Sequence, residues 1–275
     1  MDYGIANRSG QAREDDVRAL LRLGEEAGMA WLDTAQAYGE AECLVGQLAA
    51  KSWRIVTKMP PDAYGNLQQW AEQAVRESLR RLKRTKLNAL LLHRPKQRSQ
   101  SDIWDTLRSM RDDGLIGMLG ISAITPDDAM EALQDPDVEI MQVPASLLDQ
   151  RLMRRGFFEA AKAAGKIIHL RSIFLQGVAF MKEEELPTWL QSLAPALKMA
   201  DDMASGMGCP RAALFLHHAL ASGAQGIVIG CECAWQLRDI LTMARQKPAM
   251  KQLHELEDQV AALGELPVNP ALWPS

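Results

Sequence analysis

Asp33, Tyr38, Lys58 and His93 can each move or steer a proton, and each stands at or soon after the end of a short apolar run. The runs are Ala30-Trp31-Leu32 before Asp33, residues 53–57 before Lys58 and residues 89–92 before His93; Tyr38 follows Asp33 in the same loop. In a parallel barrel, strand ends of this kind converge on one face, where catalytic groups collect. An ammonium placed directly after an apolar strand is costly to bury alone. Lys58 therefore calls for a carboxylate, and Asp33 is the nearest in barrel order. Taken singly, each residue also has an ordinary reading: Tyr38 a loop aromatic, His93 a structural histidine, Asp33 a helix cap.

The elements that must position these residues alternate along the chain. Residues 13–28 place Val17, Leu20, Leu21 and Ala27 on one stripe, with Glu14, Asp15 and Asp16 at the positive helix start. A helix is predicted over about 40–50, and another over 66–84, where Leu67, Trp70, Ala74, Val75, Leu79 and Leu82 recur at helical spacing. The other face of that second helix carries Arg76, Arg80, Arg81, Lys83 and Arg84, a pattern that fits a solvated helix face in an acidic protein better than a nucleic-acid surface. Further elements are a helix near 101–113, a strand at 116–122 and a helix opened by Thr125-Pro126-Asp127. Apolar runs at 140–143, 167–170 and 227–229 follow, separated by helical stretches.

Strands alternating with helices predict a parallel sheet, because buried parallel strands read as nearly continuous apolar runs. The fold class is therefore α/β, a (β/α)8 TIM-type barrel, although periodicity alone leaves an open doubly wound sheet as the alternative. Seven of the eight strands are readable, and the first is expected to be missing, since the chain begins in a loop that leads into the first helix. No linker or composition break divides the sequence, so residues 1–275 read as one domain: a loop at 1–12, the barrel at 13–246, and a C-terminal helix and tail at 247–275.

A net charge of −4 gives no electrostatic reason to expect nucleic acid or an anionic membrane as partner. The four cysteines are too scattered for a disulfide framework. Cys231-x-Cys233 lacks the two-residue spacer of a zinc or redox pair, so no metal is expected. No basic-then-apolar leader and no membrane-length apolar run is present in the sequence, which points to a cytoplasmic protein of unknown oligomeric state.

In residue types, order and spacing the chain resembles the aldo-keto reductase superfamily. The resemblance rests on Asp33-Thr34-Ala35-x-x-Tyr38-Gly39-x-x-Glu42, Val56-Thr57-Lys58 and Leu91-Leu92-His93. It continues through Gly120-Ile121-Ser122, Gln142-Val143, Asp149-Gln150-Arg151, Arg171-Ser172, Gln176-Gly177, Ile227-Val228-Ile229-Gly230 and Gln236-Leu237. It implies NADPH-dependent reduction of a small-molecule aldehyde or ketone to an alcohol, with NADH not excluded. By that resemblance Tyr38 is the general acid, Lys58 stabilises the tyrosinate, Asp33 holds Lys58 charged and oriented, and His93 donates to the substrate oxygen. It implies that Ser122 and Gln142 hold the carboxamide and that Arg171 stacks on the nicotinamide. It places Ser172, Gln176 and Gly177 near the pyrophosphate, and Gly230, Cys231, Gln236 and Asp239 at the adenosine end.

The sequence departs from the family pattern at three places. Ala123 stands where an amide side chain usually accompanies the serine. Gly230 and Cys231 stand where a cation usually meets the 2′-phosphate. The strand that relatives carry before the Tyr3-Gly4-Ile5-Ala6-Asn7 segment is not read. Two further readings stay open at this point: a non-catalytic nucleotide-binding or regulatory subunit, and an N-terminally truncated inactive copy.

Overall fold

The structure, a computed structural model, describes residues 12–246 and 250–274. The loop read at 1–12 thus lies, save its last residue, outside the described residues, as do residues 247–249 and the final serine of the tail.

The first half alternates helix and strand: α1 (Glu14–Glu26), β1 (Trp31–Asp33), α2 (Ala41–Leu48), β2 (Arg54–Lys58), α3 (Leu67–Arg81), β3 (Leu87–Leu92), α4 (Ser101–Asp112), β4 (Ile116–Ser122), α5 (Pro126–Ala132) and β5 (Ile140–Pro144). The short helices α6 (Arg151–Arg154) and α7 (Phe157–Ala163) lead to β6 (Ile167–Arg171), then α8 (Ala194–Met207), α9 (Arg211–Ala221), β7 (Gly226–Ile227), α10 (Ala234–Arg245) and α11 (Met250–Ala262). Strand order is β1-β2-β3-β4-β5-β6-β7, the order of the sequence itself. A doubly wound sheet reverses its order at a switch point, and this one does not. The fold is therefore α/β of (β/α)-barrel order, with seven strands among the described residues.

Local sequence accounts for the element ends. The Thr125 hydroxyl accepts from the Asp128 backbone N–H at 3.2 Å while the Asp128 carboxylate accepts from the Thr125 N–H at 2.8 Å, a reciprocal cap, with Pro126 in the first helical turn. The Asn66 side chain caps α3 by accepting from the Gln69 N–H at 2.9 Å. Gly120 is required on β4, because a Cβ there would lie 1.7 Å from the Ile140 carbonyl oxygen. Two residues of the basic face of α3 are ion-paired: Arg80 and Arg81 both bind Glu77 and hold its carboxyl down at about 2.

Two compact units are distinguished. The first comprises, among the described residues, Ala12–Val143 with Ala160–Ile168. Its core includes Val56, Ala89, Leu91 and Ile140, with Trp31, Met118 and Ile167 against them; Leu21, Ala49 and Trp53 form a second cluster beneath α1 and α2. Adjacent strands are in parallel register, Val56 opposite Ala89 and Leu91 opposite Gly120. The second unit comprises Pro144–Glu159 and the described residues from His169 onward. Its core joins Leu147, Leu175, Leu190, Leu197, Phe215 and Leu256. Trp273 packs there, its ring 5.1 Å from that of Trp189 and its indole N–H donating to the Pro267 carbonyl at 2.9 Å. No described helix is long and apolar enough to cross a membrane.

Candidate active site

Parallel strands with consecutive order bring their C-terminal ends to one side of the sheet. In the first unit those ends are Asp33 on β1, Lys58 on β2, His93 just beyond β3 and Ser122 on β4, with Gln142 two residues before the end of β5. Tyr38 lies in the loop between β1 and α2. That loop turns back tightly, with the Tyr38 N–H donating to Ala35 O at 3.0 Å and the Ala41 N–H to Tyr38 O at 3.2 Å. Gly39 supplies the left-handed backbone the turn needs, with φ of 59°.

Lys58 is 2% exposed, and all three of its ammonium protons have acceptors. Nζ donates to Asp33 Oδ1 at 2.8 Å, to Asp33 Oδ2 at 2.7 Å and to the Thr34 carbonyl at 3.0 Å. Thr34 had no role in the sequence-based reading, because a backbone acceptor leaves no mark on residue type. The ammonium also lies 5.1 Å from the centroid of the Tyr38 ring, over its face. The His93 imidazole meets the same ring edge-on, with centroids 6.0 Å apart and planes at 86°. The structure thus brings Asp33, Tyr38, Lys58 and His93 together, with the positive charge acting on Tyr38 through its ring face.

Ser122 and Gln142, residues expected to hold a carboxamide, are 5% and 1% exposed on neighbouring strands and are register partners. The Gln142 side-chain amide donates to Asp33 Oδ1, which makes it a further ligand of the Asp33–Lys58 pair. Ala123 is fully buried, its N–H donating to the Gln142 carbonyl at 2.8 Å.

The remaining cofactor candidates lie in the second unit. Arg171 ends β6, and its guanidinium donates to the Ser172 hydroxyl at 3.3 Å. Ser172, Leu175, Gln176 and Gly177 all have positive φ, of 60°, 46°, 53° and 98°. Left-handed backbone at three non-glycine positions in one short loop is strain of the kind that collects at ligand sites. Beyond β7, Gly230 and Asp239 are exposed, while Cys231 and Gln236 are half-buried. Gln236 Oε1 accepts from the Glu232 N–H at 2.7 Å, tying the loop to the start of α10. Burial, with smaller contributions from Cys233 and Glu232, pushes the Cys231 thiol up to about 12, so it is an inert neutral group at neutral pH. An open cavity of about 540 Å³ in the same unit is lined by Phe180, Lys182, Lys198, Asp201 and Arg211, and by none of the candidates.

For a nicotinamide dinucleotide, the donor chemistry fits. In the first unit, buried hydroxyl and amide groups on two adjacent strands suit a carboxamide; in the second, taken by itself, left-handed backbone suits close approach to a pyrophosphate.

The model of the aldo/keto reductase family matches residues 2–259. No curated protein matches. Among solved structures, an aldo-keto reductase from Bacillus halodurans in its holo form superposes with a TM-score of 0.75 at 20% identity, covering 90% of this chain and 87% of that one. A glycerol dehydrogenase from Gluconobacter oxydans gives a TM-score of 0.75 at 16% identity, covering 94% and 89%.

Proposed function

The chain belongs to the aldo/keto reductase family, an oxidoreductase family acting on carbonyl groups, and from that premise we propose that it reduces an aldehyde or ketone to an alcohol using NADPH. The observation that supports this best is the Lys58 ammonium, fixed on Asp33 and held 5.1 Å from the Tyr38 ring centroid. A bound reduced nicotinamide supplies the hydride.

Tyr38 supplies the proton, passing it from its phenol oxygen to the carbonyl oxygen as that oxygen gains negative charge. The tyrosinate left behind sits beside the Lys58 charge, which cannot turn away because Asp33 and the Thr34 carbonyl take its three protons. His93, edge-on to the Tyr38 ring, is placed to orient the substrate oxygen. Gln142 and Ser122 would hold the carboxamide, and Arg171, Ser172, Gln176, Gly177, Gly230, Cys231, Gln236 and Asp239 would hold the rest of the nucleotide. For Gln142 this gives the amide two duties, since one of its protons is already on Asp33.

The test is NADPH oxidation by the purified chain with a panel of reactive aldehydes. Tyr38→Phe is expected to lower kcat by at least roughly a hundredfold, the upper range of loss for a general acid being about 10⁴-fold. Nucleotide binding without turnover across the panel, or turnover that survives Tyr38→Phe, overturns the reading.

A further inference from the structure

Outside the groups that touch the reacting atoms, one buried hydroxyl gathers both ends of the Tyr38 loop. Ser78 lies on α3 and is fully buried. Its Oγ accepts from the Gln36 side-chain amide at 2.7 Å and donates to Glu42 Oε1 at 2.8 Å. Gln36 lies two residues before Tyr38 and Glu42 four residues after it. The same two residues have second anchors. Gln36 also donates to the Ala74 carbonyl of α3 at 2.5 Å, and its backbone N–H donates to the Lys58 carbonyl at 3.5 Å. Glu42, itself fully buried, also accepts at Oε1 from the Thr57 hydroxyl at 2.7 Å, on the residue preceding Lys58.

We propose, resting on the reading of Tyr38 as proton donor, that Ser78 is a positioning residue: its single hydroxyl clamps the Tyr38 loop at both ends so that the phenol stays over Lys58. Thr57 and Lys58 are consecutive on β2, so the carboxylate that holds the loop is tied to the strand that holds the ammonium. The distance between proton donor and charge is thereby set by side chains that touch neither. A buried carboxylate with only hydroxyl donors is an unusual way to fill a core, since apolar groups of the same volume avoid its desolvation. Glu42 Oε2 is buried with no partner among the described residues. Such an arrangement has a purpose if it fixes geometry.

Ser78→Ala removes the hydroxyl while leaving Gln36 its bond to Ala74 and Glu42 its bond to Thr57, so the fold is retained. In the full chain it is expected to lower kcat roughly tenfold while the KM for nucleotide stays within about twofold, the signature of a misplaced reacting group. Gln36→Leu should cost a similar factor, and the double variant less than the product of the two losses, because the two changes share the Gln36–Ser78 bond. Leu79→Ala, the neighbouring buried residue of α3, serves as the control for mere loosening. A Tm fall equal to or larger than that of Ser78→Ala, with kcat retained, supports the clamp; equal losses of kcat at equal Tm overturn it.

If Tyr38→Phe retains turnover, the parent reading fails whatever Ser78 does. If Tyr38→Phe abolishes it and Ser78→Ala leaves kcat unchanged, the clamp alone fails.

Discussion

Lys58 is an electrostatic liability in the first unit, being a charge 2% exposed at the end of an apolar strand. Asp33, 17% exposed, offsets it with two short hydrogen bonds, and Gln142 in turn offsets the carboxylate. Removing one partner of such a pair leaves the other charge buried, which costs more than the pair is worth intact. Lys58→Met is therefore expected to lower the free energy of unfolding by about 3 kcal/mol, read from the urea midpoint. Adding Asp33→Asn should restore much of that loss, since the neutral amide still accepts from Gln142. Both variants should be inactive. A double variant as unstable as Lys58→Met alone would show that packing around the lysine stem, and not the stranded charge, sets the cost. Asp33, Lys58 and His93 are legible in the sequence because each stands at the end of a visible apolar run, and Tyr38 because it follows Asp33 in the same loop. The Ser78 node is not, because its partners lie 36 and 42 residues away and a buried serine on a helix looks like any other. Nor is the bond from Gln142 to Asp33, which spans 109 positions.

At the scale of elements, close approach of backbones decides which helices can sit where. A Cβ on Gly46 of α2 would lie 2.1 Å from the Arg81 carbonyl oxygen and 2.8 Å from Leu82 backbone atoms at the end of α3. Backbone cannot yield as a flexible side chain does. Gly46→Ala should thus push α2 off α3, lowering stability by about 1–3 kcal/mol and reducing turnover, since α2 begins just after the Tyr38 loop. Thermal melting and steady-state rates on one preparation check both. In the second unit, α9 meets α10 through His217, 6% exposed, which hydrogen-bonds the Met243 backbone. Burial holds its imidazole below the ordinary 6.5, against the weaker upward pull of that bond. The unfolded chain therefore binds a proton more readily than the folded one. This contribution to stability is full above the ordinary value and is lost as pH falls below it, becoming constant beneath the folded value. His217→Leu should flatten that part of the Tm profile between about pH 7 and pH 5, the range in which histidines titrate. An unchanged slope would place the acid sensitivity elsewhere. Strand positions such as 116–122 were readable because parallel strands are continuous apolar runs, whereas the 3₁₀ turns at Leu175–Phe180 depend on backbone angles that residue types such as Leu and Gln do not announce.

For the molecule as a whole, the open quantity is how strongly the chain distinguishes NADPH from NADH. A chain of net charge −4 gains nothing at long range from binding a polyanion, so discrimination must come from local contacts. Beyond β7, neither Gly230 nor Cys231 is a cation, and Cys231 is neutral at physiological pH. Gln236 uses its side-chain oxygen on the Glu232 N–H, and among the described residues no acceptor takes its NH₂ group, the donor that would face a ligand. A neutral amide donor to a phosphate is worth about 1.5 kcal/mol, short of a bidentate guanidinium. We therefore expect NADPH to bind more tightly than NADH by only about tenfold, with little dependence on salt. At a hundred times its Kd either nucleotide should raise the free energy of unfolding by about 2.7 kcal/mol if it binds the folded chain alone. Fluorescence titration gives the two affinities, and melting curves at matched saturation give the linkage. Tyr38→Phe should keep both while losing turnover. Gln236→Ala should bring the two affinities together, and Arg238→Ala should leave their ratio unchanged. A preference of a thousandfold, or one that Arg238→Ala removes, would mean that a charged donor meets the 2′-phosphate and that Gln236 only shapes the loop.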